Sequence, residues 1–317
     1  MIKYRLDTMG LKLCPLAIGC EQLGNKDWGT IDIDECKIAI KVAFENGANI
    51  FDTADVYGLG KSEEELSKAL GRERHNAFII SKFGVRWIKK NTSNRAITFK
   101  DSSPQYLKDA IENSLRRLRL DTIPLYFVHW PDDKTPIEDT LIALEKARKD
   151  GKILNYGLSN FSLKSINKVL DEFPIAAIQS PYSIINNKSE TLDQLIKTSK
   201  KGLSTFTYGP LEQGLLSGKY NDQIKFTIND RRHRLEHFSK ESLKEKQNLF
   251  EGIKKIAKKY NKTMAQVSLR WVLDSHYVTS AIVGIKNRKQ LQSNLEALNW
   301  SMDMSDWQFL DQLYKSK

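Results

Sequence analysis

The chain predicts an α/β fold, a closed (β/α)8 barrel of the TIM type with an N-terminal hairpin and two extra helices. Two observations carry this: eight short apolar runs, and amphipathic helical patterns that alternate with them along 317 residues. Such alternation favours parallel strands joined by right-handed crossovers. A third observation removes the competitor. An open doubly wound sheet wants a Gly-x-Gly-x-x-Gly turn after an early strand, and none follows the first strand here. A closed barrel needs about 250 residues plus its loops, so residues 1–317 read as a single domain.

Residues 2–14 alternate loosely about the turn Asp7-Thr8-Met9-Gly10, which predicts a hairpin plugging the barrel floor. The first barrel strand is Leu16-Ala17-Ile18-Gly19. Ile33, Cys36, Ile40 and Phe44 recur at helical spacing up to Asn46-Gly47, and the second strand follows, ending in Asp52. Helix and strand then alternate as 62–70, 77–82, 104–118, 123–128, 136–149, 153–158, 162–170, 175–179, 191–199 and 203–207. The eighth strand, 278–283, lies between helices 263–273 and 288–298. Helical patterns at 240–259 and 305–314 are left over. Gly58-Leu59-Gly60-Lys61-Ser62 lacks Walker spacing and reads as the start of the second helix.

Composition is that of an ordinary soluble protein, with 40% hydrophobic and 28% charged residues and a formal net charge of +11. Lys254-Lys255 and Lys258-Lys259 fall on predicted helix faces, so the excess reads as a solvated exterior and no nucleic-acid partner is expected. Cys14, Cys20 and Cys36 are odd in number and lack metal-ligand or Cys-x-x-Cys spacing, which fits a reducing, cytoplasmic setting without a metal. No run approaches the roughly 18–20 apolar residues of a membrane span, and Met1-Ile2-Lys3-Tyr4-Arg5 opens no secretory segment. His233 and His237 stand four apart without the Glu of a metalloprotease helix, so they read as incidental.

Chemistry concentrates at three strand ends. The run Gly47–Ile50-Phe51 ends in Asp52, with Tyr57 five residues on. Ala77-Phe78-Ile79-Ile80-Ser81 ends in Lys82, and Ile123–Val128 ends in His129. In a barrel these junctions open on one mouth. Asp52, Tyr57, Lys82 and His129, in this order and context, resemble the catalytic tetrad of the aldo-keto reductases. The resemblance extends through Gly157-Leu158-Ser159-Asn160-Phe161, Gln179-Ser180-Pro181-Tyr182, Tyr208-Gly209-Pro210-Leu211, Gly214-Leu215-Leu216-Ser217-Gly218-Lys219 and Gly284-Ile285-Lys286-Asn287. It covers nearly the whole chain, and the Trp130-Pro131-Asp132 and Gly214–Tyr220 stretches are similar to the bacterial and plant branches.

The residue types suit carbonyl reduction, which needs a hydride donor, a proton donor and a group that keeps that donor acidic. Tyrosine has a reference pKa of about 10. A nearby Lys82 ammonium is expected to lower it, with Asp52 holding the ammonium charged and His129, depending on its tautomer, bonding the substrate carbonyl or assisting proton transfer. The resemblance implies a nicotinamide cofactor, NADP(H) favoured and NAD(H) second, and a small-molecule carbonyl substrate. It places Ser159, Asn160 and Gln179 against the carboxamide and Tyr208 stacked on the nicotinamide ring. Gly209 stands where the family more often has Ser, which leaves, after Pro210, the backbone amides around Leu211, Gln213 and Gly214 for the pyrophosphate. The loop after strand eight, with Gly284, Lys286 and Arg288 before a helix, is a natural phosphate site. That helix carries Gln290 and Asn294 toward the cofactor, and Asn294 is similar to the residue that contacts adenine. Trp28, Trp87, Trp130 and the 213–238 loop after strand seven are the expected substrate walls, and Arg86, Lys89, Lys90 and Arg95 give the 86–103 loop a basic character suited to an anionic or sugar-phosphate carbonyl. Two alternatives remain: a dedicated keto-sugar or nucleotide-sugar reductase, and a cofactor-sensing regulatory subunit with little turnover.

Overall fold

A computed structural model describes residues 4–7, 9–88, 96–221 and 223–315, so Lys89, Lys90 and Arg95 of the basic loop lie outside the described residues. Eight parallel strands close a barrel in chain order: Leu16–Gly19, Ile50–Asp52, Phe78–Phe83, Ile123–Val128, Ile153–Ser159, Ala177–Pro181, Ser204–Tyr208 and Ser280–Gly284. The eighth pairs with the first, Ala281 opposite Leu16 and Gly284 opposite Gly19.

Around the barrel run α1 (Ile33–Glu45), α2 (Lys61–Leu70), α3 (Pro104–Leu118), α4 (Ile137–Lys149), α5 (Leu163–Val169), α6 (Ser189–Lys200), α7 (Lys240–Glu245), α8 (Gln247–Tyr260), α9 (Met264–Leu273), α10 (Arg288–Glu296) and α11 (Met304–Lys315). Their starts follow local chemistry. Asp32, Ser103, Ser162 and Thr263 each accept a hydrogen bond from a first-turn amide, and Thr263 with Gln266 forms a reciprocal capping box.

Alternation along the strands makes two cores. Ala17, Ile50, Ile80, Leu125, Phe127, Ala177, Phe206 and Ile282 fill the barrel interior, and a larger layer packs between strands and helices. The N-terminal hairpin, Arg5–Leu6 against Lys12–Leu13, closes the floor, with Leu13 and Met9 packed on the interior cluster.

Two expectations are corrected. The leftover pattern at 240–259 breaks at Lys246, because α7 buries Leu243 with Phe238 and Leu215 while α8 buries Leu249, Ile253 and Ile256 against the main layer. The basic loop after strand three contains a hairpin, Val85–Ile88 antiparallel to Ile97–Lys100. Weighing only its charges overlooked the strand formers Val85, Trp87, Ile97, Thr98 and Phe99. Among the described residues no helix is long and apolar enough to cross a membrane.

The loop after strand two is fixed from both sides. Ser62 Oγ donates to Cys20 O at 2.7 Å and lies 2.8 Å from Thr53 Oγ1, while Ser62 N donates to Tyr57 O at 3.1 Å. Gly58 has φ +60°, and a Cβ there would meet Gly24 Cα at 2.5 Å. Behind the loop, buried Glu63 accepts from Arg117 Nε and Ser81 Oγ, both at 2.6 Å, and Asp55 Oδ2 accepts from Tyr106 OH at 2.9 Å. Burial, and then the Glu63 carboxylate, push the Asp55 carboxyl well above the usual carboxylate range.

The backbone of Gly24 cannot yield as a flexible side chain would. Gly58→Ala is therefore expected to cost about 1–3 kcal/mol from overpacking alone, with the left-handed φ adding to it, and to lose catalytic activity as the loop shifts; thermal unfolding and turnover measure both. Asp55 gives a prediction in pH. The unfolded chain ionises this carboxyl near 3.8 while the folded chain holds the proton, so wild-type stability falls as pH rises above that value. An amide at this position has no proton to lose. Asp55→Asn should melt a few degrees higher than wild type near neutral pH, with the gap closing as pH approaches the ordinary carboxylate value of 3.8; calorimetry at the two pH values checks the sign.

Candidate active site

The mouth is built by the same alternation that fills the interior. Two residues beyond the inward apolar side chains Ile50, Ile80, Phe127, Ala177 and Phe206 stand Asp52, Lys82, His129, Gln179 and Tyr208, one step nearer the carboxyl ends of the strands. The polar layer thus sits directly on the apolar one.

Lys82 is fully buried. Its Nζ donates to Asp52 Oδ1 at 2.7 Å and to Thr53 O at 2.8 Å, and lies 5.1 Å from the centroid of the Tyr57 ring. Asp52 Oδ2 accepts from Gln179 Nε2 at 2.8 Å. The Tyr57 ring meets the His129 imidazole edge-on, with centroids 5.7 Å apart. The four predicted tetrad residues are therefore together.

Their protonation differs in part from expectation. Burial, followed by the charges of Glu21 and Asp52, holds the Tyr57 hydroxyl well above the usual phenol range. The expected lowering by Lys82 is corrected, since its ammonium is spent on a carboxylate 2.7 Å away. Burial, then Lys82, pushes His129 well below its ordinary 6.5 and keeps the imidazole neutral. Its Nδ1 is buried without a partner in the protein.

The predicted carboxamide contacts form one network. Tyr208 OH donates to Asn160 Oδ1 at 2.7 Å, Asn160 Nδ2 donates to His129 O at 2.9 Å and Ser159 Oγ at 3.1 Å, and Ser159 Oγ lies 3.4 Å from Gln179 Oε1. Beside Tyr208 opens a cavity of about 500 Å³, lined by Gly209, Gln213, Arg231, Arg234 and His237 among others. Gly209 has φ +71°, and a Cβ there would meet nothing within 4 Å. After Pro210 and Leu211 the backbone is left-handed at Glu212, Gln213 and Gly214.

Over this cavity the 229–235 segment lies clasped to residues 27–29. Trp28 bridges Asp230, Arg231 N donates to Asp27 O at 2.9 Å, Arg231 pairs with Glu21, and Arg234 Nη2 lies 3.3 Å from Asp27 Oδ1. The Trp28 indole is buried, with the Arg231 guanidinium 4.9 Å and the Lys286 ammonium 5.7 Å from its ring. It supports the clasp and does not line the cavity, a correction to its reading as a substrate wall.

Trp87 is corrected likewise: the hairpin turns it toward α3, where it lines a small cleft with Tyr106 and Arg117. Trp130 is exposed, beneath the Lys100 ammonium at 5.3 Å. In the loop after strand eight, Lys286 Nζ donates to Trp28 O at 2.8 Å, Lys286 N donates to Gln290 Oε1 at 2.9 Å, and Arg288 bonds Glu35. The Gln22 side chain covers Gly284, and Asn294 is buried. The 213–238 loop does line the cavity, as expected, through Gln213, Arg231, Arg234 and His237; Glu21 and Glu35 escaped the sequence reading, because single charged residues on loops and helix starts carry no pattern that marks them.

The unpartnered His129 Nδ1, the Tyr208 ring at the cavity wall and the unfilled space over Gly209 fit a nicotinamide nucleotide. Comparison with known proteins agrees. A family model described as the aldo/keto reductase family matches residues 15–315. The NADP(+) aldo-keto reductase yakc of Schizosaccharomyces pombe is 33% identical over 262 residues, covering 81% of this chain and 75% of that protein. The NADH-specific methylglyoxal reductase of Escherichia coli is 28% identical over 316 residues, covering 96% of each. Among solved structures, the glycerol dehydrogenase AKR11B4 from Gluconobacter oxydans superposes with a TM-score of 0.88 at 32% identity, over 99% of this chain and 95% of that one. On the family match across nearly its whole length, this chain belongs to the aldo-keto reductase family of oxidoreductases.

Proposed function

We propose that residues 1–317 act as one domain that reduces a small polar aldehyde or ketone to an alcohol with NADPH, NADH being the second cofactor, and with Tyr57 as the proton donor. The observation that carries this reading is the buried Lys82–Asp52 pair beneath Tyr57 and His129 at the mouth of the barrel.

A reduced nicotinamide, which Tyr208, Ser159, Asn160 and Gln179 would hold at this mouth, would supply the hydride that the carbonyl carbon accepts. The protein supplies everything else. As negative charge grows on the carbonyl oxygen, the Tyr57 hydroxyl gives its proton to it; a phenol held above its ordinary pKa is fully loaded at neutral pH. The departing proton leaves phenolate 5.1 Å, ring to ammonium, from Lys82, and that cation is locked by Asp52 and Thr53 O so it need not reorganise. Neutral His129 offers an N–H to the same oxygen without placing a second cation beside Lys82. Solvent then reprotonates Tyr57. Ser159, Asn160 and Gln179 present amide and hydroxyl groups suited to a neutral carboxamide, and Gly284, Lys286, Arg288, Gln290 and Asn294 form the phosphate and adenine side.

Arg231 and Arg234 at the cavity rim favour a substrate with oxygen functions beyond the reacting carbonyl. The relatives named for methylglyoxal and glycerol support a small, polar one.

Tyr57→Phe should lower kcat for carbonyl reduction about 10²–10⁴-fold while cofactor binding persists; loss of reduced-nicotinamide absorbance on an aldehyde and keto-sugar panel measures the first, fluorescence titration the second. Wild-type turnover in this variant would remove Tyr57 from the role. The pH profile has a determined shape as well. With His129 depressed below 6.5 and Tyr57 raised above 10.0, kcat should not change as either ordinary value is crossed from neutral pH, falling only at more extreme acid or alkali. A rate that halves near 6.5 would show His129 titrating in the open.

A further inference from the structure

The loop that follows strand eight carries two cations, and neither projects freely. Lys286 is drawn inward, its ammonium donating to Trp28 O at 2.8 Å, and burial lowers its affinity for its proton. Arg288, the first residue of α10, gives its backbone N and its Nε to Glu35 Oε1, both at 3.1 Å, and its Nη2 to Glu35 Oε2 at 3.3 Å. Glu35 comes from the first turn of α1, where Asp32 Oδ1 accepts from its amide at 3.0 Å. Cys36, its neighbour, packs its thiol against Lys286 O at 3.2 Å. The start of α1 and the start of α10 are thus fastened together, and a carboxylate stands where the fold offers a phosphate site.

We infer that Glu35 is a specificity-determining residue for the cofactor, setting the balance between NADPH and NADH by competing with the 2′-phosphate for Arg288. The inference rests on the proposed placement of the adenine-side phosphate at Lys286 and Arg288. The physical case is differential. A 2′-phosphate brings up to two negative charges to a guanidinium already bonded through two N–H groups, beside a backbone amide held by the same carboxylate, and it must displace the carboxylate or lie beside it. A 2′-hydroxyl brings none, and a carboxylate can accept a hydrogen bond from it. Glu35 therefore weakens NADPH and leaves NADH untouched or slightly favoured. Arg288 is 60% exposed and Glu35 26%, so exchange of partners is sterically open.

Dissociation constants for NADPH and NADH, read by quenching of tryptophan fluorescence in the full chain, test this with E35Q and R288A. E35Q keeps a hydrogen-bonding amide and removes only the charge, so NADPH should tighten roughly three- to tenfold relative to NADH at low ionic strength, with a smaller gain as salt screens the carboxylate. R288A should weaken NADPH and not NADH. If R288A behaves so but the NADPH-to-NADH ratio in E35Q equals wild type, the role of Glu35 is overturned while the phosphate placement stands. If R288A changes both cofactors alike, the placement itself fails, and the inference with it.

Discussion

The structure depends on one buried ion pair. Lys82 and Asp52 are both inward-facing, on adjacent strands of the barrel wall, and almost no water reaches either. Burying two charges costs several kcal/mol each unless geometry and extra hydrogen bonds offset it. Here they do: the ammonium has a carboxylate and a carbonyl, and the second carboxylate oxygen has the Gln179 amide. Removing either partner would leave a bare charge in a closed wall, so the pair constrains three strands at once. That rigidity serves Tyr57, whose ring rests over a cation that cannot drift.

The pair also explains why so much of the site was legible. A strand in a packed barrel alternates faces, and a run such as Phe78-Ile79-Ile80-Ser81-Lys82 puts Lys82 on the face of Phe78 and Ile80. The polar residue at the end of an inward series therefore has one place to go, the mouth, and the same parity delivers His129, Gln179 and Tyr208. Strand positions followed from periodicity alone. What parity cannot reveal is where the neighbouring charges end. The sequence shows a lysine near a tyrosine, which implies an acidic tyrosine; only the 2.7 Å contact with Asp52 shows that the ammonium is already neutralised, so that burial governs the phenol.

Side chains on loops obey no such rule. Trp28, Trp87 and Trp130 all lie near strand ends in sequence, yet one is buried in a clasp, one is turned by a hairpin toward α3, and one lies exposed beneath Lys100. The reverse error has the same origin. Glu21 and Arg231 are 210 residues apart and meet over the mouth because two loops are laced together through Trp28 and Asp230, a pairing no local pattern encodes.

The clasp changes the meaning of the net charge. An excess of +11 could be read as an open basic surface, but the cations around the mouth have acidic or carbonyl partners: Arg231 with Glu21, Arg234 with Asp27, Arg288 with Glu35, Lys286 with Trp28 O. An anionic ligand drawn to any of these four must exchange partners with it. Exchange has a consequence for selectivity. Bare cations attract every anion, whereas cations already satisfied reward only a ligand that replaces each lost bond with a better one in the right geometry. A phosphate can do that for a guanidinium through two parallel N–H bonds, and a single ribose hydroxyl cannot. The acidic residues are thus part of how the mouth distinguishes its ligands, since each sets the threshold that an incoming oxygen must exceed before a cation will turn to it.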